Sequence, residues 1–247
     1  MFGMDGLDAV LIFAGGVFAG LINSMAGGGS LLTVPLLSLG GVEGLLANGT
    51  NRVAVLIQNA SSGYGYAKRG IGSKAETLQV LVPTLVGGLV GAAVVSQIDD
   101  KLFERIFGFL MIPLLALSIW KPKTKSNDEP WPMWVTAVVF FGVGIYAGAI
   151  QAGVGLILLL VLSRAGFDLV KANAIKTFVI LGVSVVAVAI FVAQGQVRWG
   201  PAAVLSAGMA IGGYGGSQLA VTGGEKLIKP VLVVSVLALA GRMIGVY

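Results

Sequence analysis

The chain has 247 residues, of which 56% are hydrophobic and only 11% charged, and its mean hydropathy is +0.94; a soluble domain would carry about 25% charged residues. This composition points to an all-α polytopic membrane protein, and the net charge of +5 fits the basic cytoplasmic loops of such a protein better than a nucleic-acid partner. Cysteine and histidine are both absent, which argues against disulfides, thiolate chemistry, a metal centre and a histidine base.

The N-terminal MFGMDGLDAV carries two aspartates and no Lys or Arg, so it lacks the basic start of a cleavable signal peptide and reads as the beginning of a first span. From Ala9 to Val42 no residue is charged. One straight helix over that stretch would be about 51 Å long, against a hydrocarbon core of about 30 Å. The helix must break, and Gly27, Gly28 and Gly29 mark the place, because each glycine gives up about 1 kcal/mol of helix propensity. Asn23 and Ser24 before the break and Ser30 after it are able to bond the backbone groups it frees. Irregular backbone inside a bilayer is tolerated only where it is buried in protein or lines a cavity, so the break is a candidate binding site.

The first half then reads as helices near 8–24, 30–40, 44–67, 77–98 and 102–120. A hydrophilic linker, KPKTKSNDEP at 121–130, follows. The second half repeats the order near 132–151, 154–163, 170–194, 200–221 and 227–246. The short second segments are below spanning length, and either re-entrant hairpins or oblique crossings satisfy them. Two homologous halves are expected, an N-terminal repeat at 1–120 and a C-terminal repeat at 131–247, with about 8–10 membrane segments in one membrane domain.

The evidence for duplication is internal. Gly16-x-x-x-Gly20-x-x-Asn23 recurs as Gly144-x-x-x-Gly148-x-x-Gln151, and Gly27-Gly28-Gly29 falls on Gly153-Val154-Gly155 with a two-residue deletion. Ala47-Asn48 matches Ala172-Asn173, Gly87-Gly88-x-x-Gly91 matches Gly212-Gly213-x-x-Gly216, and Lys101-Leu102 matches Lys226-Leu227, all at an offset of 125. An odd number of crossings per half inverts the second. Loop charge agrees: Lys68, Arg69, Lys74, the linker lysines, Arg164, Lys171, Lys226 and Lys229 fall inside, with Glu43, the mixed run 99–105, Arg198 and both termini outside. Glycine-broken segments at matching places in two halves are a pointer to a transporter's binding site.

Intramembrane polar residues are expensive and usually functional. The third segment opens Asn48-Gly49-Thr50-Asn51-Arg52, and the equivalent run is Asn173-Ala174-Ile175-Lys176-Thr177. Each half thus carries one cation, Arg52 or Lys176, soon after its break, with no obvious buried acid beside it. Two such cations suggest an anionic ligand. Helix starts around Gly29-Ser30 and Gly155-Leu156 would add positive dipole ends. The candidate substrate site comprises Asn23, Gly27, Gly28, Gly29, Ser30, Asn48, Thr50, Asn51, Arg52, Gln151, Gly153, Gly155, Asn173, Lys176 and Thr177. The Gly-x-x-x-Gly pairs read more readily as helix packing than as ligand contacts. For Gln58 and Asn59, ligand contact and plain helix-joining hydrogen bonds both stay open. Trp120, Trp131, Trp134 and Trp199 sit at segment ends, as an interfacial belt requires.

GGVFAGLINSMAGGGSLLTVPLL followed by LANGTNRVAV, with the looser copy GVGIYAGAIQAGVGLILLLVL, resembles the TauE/SafE sulfite-exporter-like permeases across essentially the whole chain. The resemblance implies a prokaryotic inner-membrane permease for sulfite or organosulfonates, some members exporting and others importing. It maps the family's Gly-rich motif onto Gly27, Gly28, Gly29 and Ser30 and its counterpart onto Gly153 and Gly155. Together these readings give a secondary transporter for a small sulfur-containing anion, with no cofactor and no nucleic-acid partner. An anion channel or a permease for another carboxylate or oxyanion is the alternative. A metal permease lacks its His and Cys ligands, an enzyme lacks a nucleophile–base pair, and no P-loop supplies a hydrolytic motor.

Overall fold

The long apolar stretch breaks where its glycines allow. In the computed structural model, which describes residues 5–71, 74–120 and 131–222, helix α1 (Gly6–Ala26) stops at Gly27. Gly27 takes φ +78°, a left-handed conformation that costs glycine nothing, and its N–H donates to the Asn23 carbonyl at 3.1 Å. Helix α2 (Ser30–Leu39) follows, then α3 (Gly44–Lys68), α4 (Lys74–Val95) and α5 (Asp100–Trp120). Beyond the linker come α6 (Met133–Ala149), α7 (Val154–Arg164), α8 (Leu169–Ala193) and α9 (Trp199–Val221). The predicted linker 121–130 and the predicted helix 227–246 lie outside the described residues, as does the Trp120 side chain.

All described elements are helical. Three of them, Gly6–Ala26, Ala75–Val95 and Leu169–Ala193, are long and apolar enough to cross a bilayer. Helices α3, α5 and α9 reach 25, 21 and 23 residues, and polar residues and glycines dilute their apolar character. The chain is an all-α, multi-pass membrane protein.

Element ends differ from the sequence reading for local reasons. Helix α4 ends at Val95, three residues early, because Asp99 leaves the helix to cap α5, accepting from the Leu102 N–H at 2.8 Å. Helix α6 ends at Ala149, where Ile150 turns extended at φ −131° and ψ 109°.

Packing crosses the two halves. Helix α1 lies on α9, and α6 lies on α4. Both contacts are made where glycines remove side chains. A Cβ on Gly16 would meet the Leu205 carbonyl at 3.0 Å, and one on Gly212 would meet the Val17 carbonyl at 1.9 Å. Likewise a Cβ on Gly148 would lie 2.0 Å from the Gly88 carbonyl oxygen, and one on Gly87 2.1 Å from that of Phe141. Such close backbone contact replaces the hydrophobic drive that lipid cannot supply. The Gly-x-x-x-Gly residues therefore pack helices, and α3 and α8 meet between the two pairs.

Hydrogen bonds and one ion pair sort the helix ends into two groups. Glu76 near the start of α4 pairs with Lys171 near the start of α8 at 2.8 Å, and Arg69 at the end of α3 donates to Gln218 near the end of α9 at 2.7 Å. At the opposite end, Asp100 of α5 accepts from the Leu45 N–H of α3 at 2.9 Å. There too Gln196, after α8, donates to the Ser96 carbonyl after α4 at 3.0 Å.

Candidate functional site

The two glycine breaks touch. A Cβ on Gly27 would meet the Gly155 carbonyl carbon at 2.4 Å, and one on Gly155 would meet the Gly27 oxygen at 2.5 Å. Gly153, at φ +71°, donates its N–H to Ser30 Oγ at 3.1 Å, so each break is held by the other. Gly28 and Gly29 are buried beside them. Four helix ends converge here: the carbonyl ends of α1 and α6 and the N–H ends of α2 and α7.

The last carbonyls of α6 are taken by α3. The Arg52 guanidinium donates through Nη1 to the Ala147 carbonyl and, at 2.8 Å, to Gln151 Oε1; through Nη2 it donates to the Gly148 carbonyl at 2.6 Å. Asn48, one turn earlier on the same face, donates to the Ala149 carbonyl at 3.0 Å. Phe191 of α8 places its ring 5.8 Å from the guanidinium carbon. A planar fork that reaches two successive carbonyls is a geometry a lysine cannot copy.

The last carbonyls of α1 are taken by α8 and α3 together. Lys176 Nζ donates to the Asn23 carbonyl and to Asn173 Oδ1, both at 2.7 Å. Tyr66 donates to the Ser24 carbonyl at 2.9 Å, and Asn173 Nδ2 to the Met25 carbonyl at 3.1 Å. Three successive carbonyls are thus satisfied at each helix end, by Arg52 and Asn48 on α6 and by Lys176, Tyr66 and Asn173 on α1. Fixed cations on negative helix ends offset part of the cost of burying them.

The Asn23 side chain belongs to a second layer. Its Nδ2 donates to Gln58 Oε1 at 2.7 Å, Gln58 donates to Ser24 Oγ at 2.9 Å, and Ser24 shares a hydrogen bond with Ser62 at 2.9 Å. Asn59 donates to the Gln58 oxygen at 3.0 Å and to its own helix at Val55. Gln58 therefore joins α3 to α1, while Asn59 bonds only within α3 and steadies the Gln58 amide.

Not every predicted residue points the same way. Thr50 lies on another face of α3: it donates to the Leu46 carbonyl at 2.6 Å and accepts from the Arg198 N–H at 2.9 Å, holding the α8–α9 connection. Thr177 donates to the Asn173 carbonyl of its own helix at 2.8 Å. Asn51 is fully buried, with neither side-chain atom partnered among the described residues. Arg52 Nε and Gln151 Nε2 are also buried donors without partners among the described residues. Sequence reasoning missed Tyr66, Ser62 and Phe191. Tyr66 and Phe191 are large residues at spanning-helix ends, indistinguishable by pattern from interfacial aromatics.

Two positive helix ends, two negative ones and the side chains of Arg52 and Lys176 gather at this centre. No Asp or Glu is buried among the described residues, and no cluster of His, Cys, Asp or Glu there could hold a metal ion.

A multi-pass helical bundle with broken, buried segments meeting at a charged centre defines a membrane permease. Comparison with known proteins places it further. The family described as sulfite exporter TauE/SafE matches over residues 12–243. The probable membrane transporter protein ORF9 of Sinorhizobium sp is 30% identical over 240 residues, covering 95% of this chain and 91% of its own. A probable membrane transporter protein of Haemophilus influenzae is 26% identical over 247 residues, covering 97% and 96%. The probable membrane transporter protein YfcA of Escherichia coli K12 is 28% identical over 242 residues, covering 96% and 90%. No solved structure matches. The chain belongs to the TauE/SafE family of membrane transporters; it is a transporter and not an enzyme.

Proposed function

We propose that this chain is a secondary transporter of a small sulfur-containing anion, sulfite or an organosulfonate, bound where the two glycine breaks meet. The observation that carries the reading is a set of buried donors without partners among the described residues, on and beside the Arg52 that holds the end of α6. Arg52 Nε, Asn51 Nδ2 and Gln151 Nε2 are buried donors lacking acceptors among the described residues, and the oxygens of a sulfite or sulfonate group would supply them. The family's description as sulfite exporters supports sulfur chemistry over a carboxylate.

The transport scheme is two inverted repeats, 1–120 and 131–247, rocking about the central site in a prokaryotic inner membrane with both termini outside. Support comes from the opposed directions of α3 and α8: α3 ends and α8 begins within the group of ends marked by Arg69, Glu76 and Lys171. In the same scheme α1–α2 and α6–α7 are re-entrant hairpins. The pairing of Gly15 with Leu36 and of Gly40 with Ile12 supports a reversal of the chain at Gly27.

Flux into proteoliposomes tests the reading. Saturable uptake of one sulfur anion, competed by its congeners and weakened at least tenfold in affinity by Gln151→Ala, is the expected result. Non-saturating anion flux would favour a channel. Flux confined to carboxylates or neutral solutes would overturn the sulfur assignment.

A further inference from the structure

The centre leaves buried acceptors unpaired as well as donors. Asn23 Oδ1, Asn48 Oδ1 and Asn51 Oδ1 are buried amide oxygens without a partner among the described residues. Two of the three are oriented by their own nitrogens. The Ala149 carbonyl can only accept, so the Asn48 atom that faces it at 3.0 Å is the amide nitrogen, and the oxygen is turned away. Asn23 is fixed through a longer chain. Asn59 Nδ2 lies on the Val55 carbonyl and on the Gln58 oxygen, so that oxygen is the acceptor Asn23 Nδ2 meets at 2.7 Å. Gln151 is fixed in the opposite sense, because Arg52 can only donate: its oxygen takes the guanidinium at 2.8 Å and its nitrogen is left without a partner.

The end of α6 brings both kinds of atom together. Asn48, Asn51 and Arg52 share a face of α3 by helical spacing, and Asn48 and Arg52 both hold residues 147–151. Arg52 Nε and Gln151 Nε2 are donors without acceptors there, and Asn48 Oδ1 is an acceptor without a donor. Asn51 presents one of each. A fully ionised oxyanion would answer the donors and leave the Asn48 oxygen unpaired, and an unsatisfied buried acceptor is costly. The ligand that fits is an anion with a hydrogen of its own.

We propose that the central site selects a protonated monoanion, hydrogensulfite in its hydroxyl form. Its hydroxyl donates to Asn48 Oδ1, and its two bare oxygens accept from Arg52 Nε and from the Asn51 and Gln151 amide nitrogens. The inference rests on the sulfur-anion reading above and narrows it, to sulfite over organosulfonates that carry no such hydrogen. Asn48 is the residue that reads the protonation state. The proton travels on the substrate, in a bundle whose described residues include no buried carboxylate to carry one.

Calorimetric titration of the purified full-length protein with sulfite and with methanesulfinate, from mildly acid to mildly alkaline pH, tests this. Methanesulfinate has a methyl group where hydrogensulfite has its hydroxyl, and it stays a monoanion across the range. Affinity for total sulfite should fall about tenfold per pH unit once the pH passes sulfite's own dissociation near neutrality. Methanesulfinate affinity should stay level, and about tenfold or more below that of sulfite at acid pH. The titratable groups at the centre are Arg52 and Tyr66 of α3, Tyr146 of α6 and Lys176 of α8; the buried residues of α1, α2 and α7 include none. Their titration would move both ligands alike. Asn48→Leu, which matches the shape without the polar atoms, should bring the two ligands within about threefold of each other at acid pH. The wild-type pH series stands as a test even where that variant fails to fold. Sulfite affinity that stays level across pH, methanesulfinate bound as tightly as sulfite, or a preference that Asn48→Leu leaves unchanged would overturn this inference and leave the sulfur-anion reading standing. Binding of no sulfur anion at any pH would overturn both.

Discussion

The ends of α1 and α6 occupy matching places in the two halves, and each has three successive carbonyls satisfied from elsewhere, but by different means. Helix α6 ends on α3 alone: Arg52 takes two carbonyls and Asn48 the third. Helix α1 ends on α8 and α3 together, through Lys176, Asn173 and Tyr66, and is backed by the Asn23–Gln58–Ser24–Ser62 network. One end depends on a single guanidinium and the other on a distributed set. The difference teaches that one problem, an orphaned helix end inside the membrane, is met in this chain by two different solutions.

The largest effect should come from wedging both ends apart at once. In Gly155→Ala the new methyl meets the Gly27 oxygen at 2.5 Å and its Cα at 2.6 Å, and backbone cannot step aside. A loss of about 3 kcal/mol or more is expected, seen as collapse of the monodisperse peak in size-exclusion chromatography. Gly142→Ala, where a Cβ meets nothing within 4 Å, should leave that peak intact and serves as its control.

Next comes the contrast between the cations. Arg52→Met strips donors from two carbonyls and Gln151, at a cost of about 3 kcal/mol. Lys176→Met should cost about 2 kcal/mol, because the Asn23 carbonyl keeps the Gly27 N–H as a donor. Thermal melts in detergent should rank Arg52→Met below Lys176→Met; the reverse order would break the comparison. Arg52→Lys should recover only part of the loss, since one ammonium cannot span both carbonyls.

Smaller effects sharpen it. Tyr66→Phe removes the donor to the Ser24 carbonyl and should cost about 1 kcal/mol, with faster hydrogen exchange at 23–27 and none of that change at 147–151. Ser30→Ala takes the acceptor from the Gly153 N–H, so it should loosen the α6–α7 break rather than its own, by about 1 kcal/mol.

Much of this was legible in the residues. Charge-free length demanded a break, three glycines located it, and Arg52 and Lys176 announced themselves by their depth after it. The partner of each cation was not legible. Hydrophobic pattern describes one helix at a time, whereas both contacts cross between halves, and nothing at Ala147 or Gly148 marks a carbonyl as an acceptor. Helical geometry alone could have refined the site: Asn48 and Arg52, four apart, share a face, while Thr50 between them turns toward the α8–α9 connection. Ser30 was expected to bond the backbone its own break frees and instead holds the other break, a choice set by tertiary contact between Gly27 and Gly155.

The central claim is that a sulfur anion binds where the breaks meet, and ligand-dependent thermal stabilisation of the purified protein tests it most directly. Sulfite, sulfate, thiosulfate, sulfoacetate and taurine would be compared with acetate, a neutral sugar and a divalent metal, on wild type and on Asn51→Ala and Gln151→Ala. At a hundred times its dissociation constant the cognate anion should add about 2.7 kcal/mol, and the two variants, which leave Arg52 and Lys176 on their carbonyls, should lose most of it. Stabilisation by the metal, the sugar or acetate with none from any sulfur anion would contradict the account.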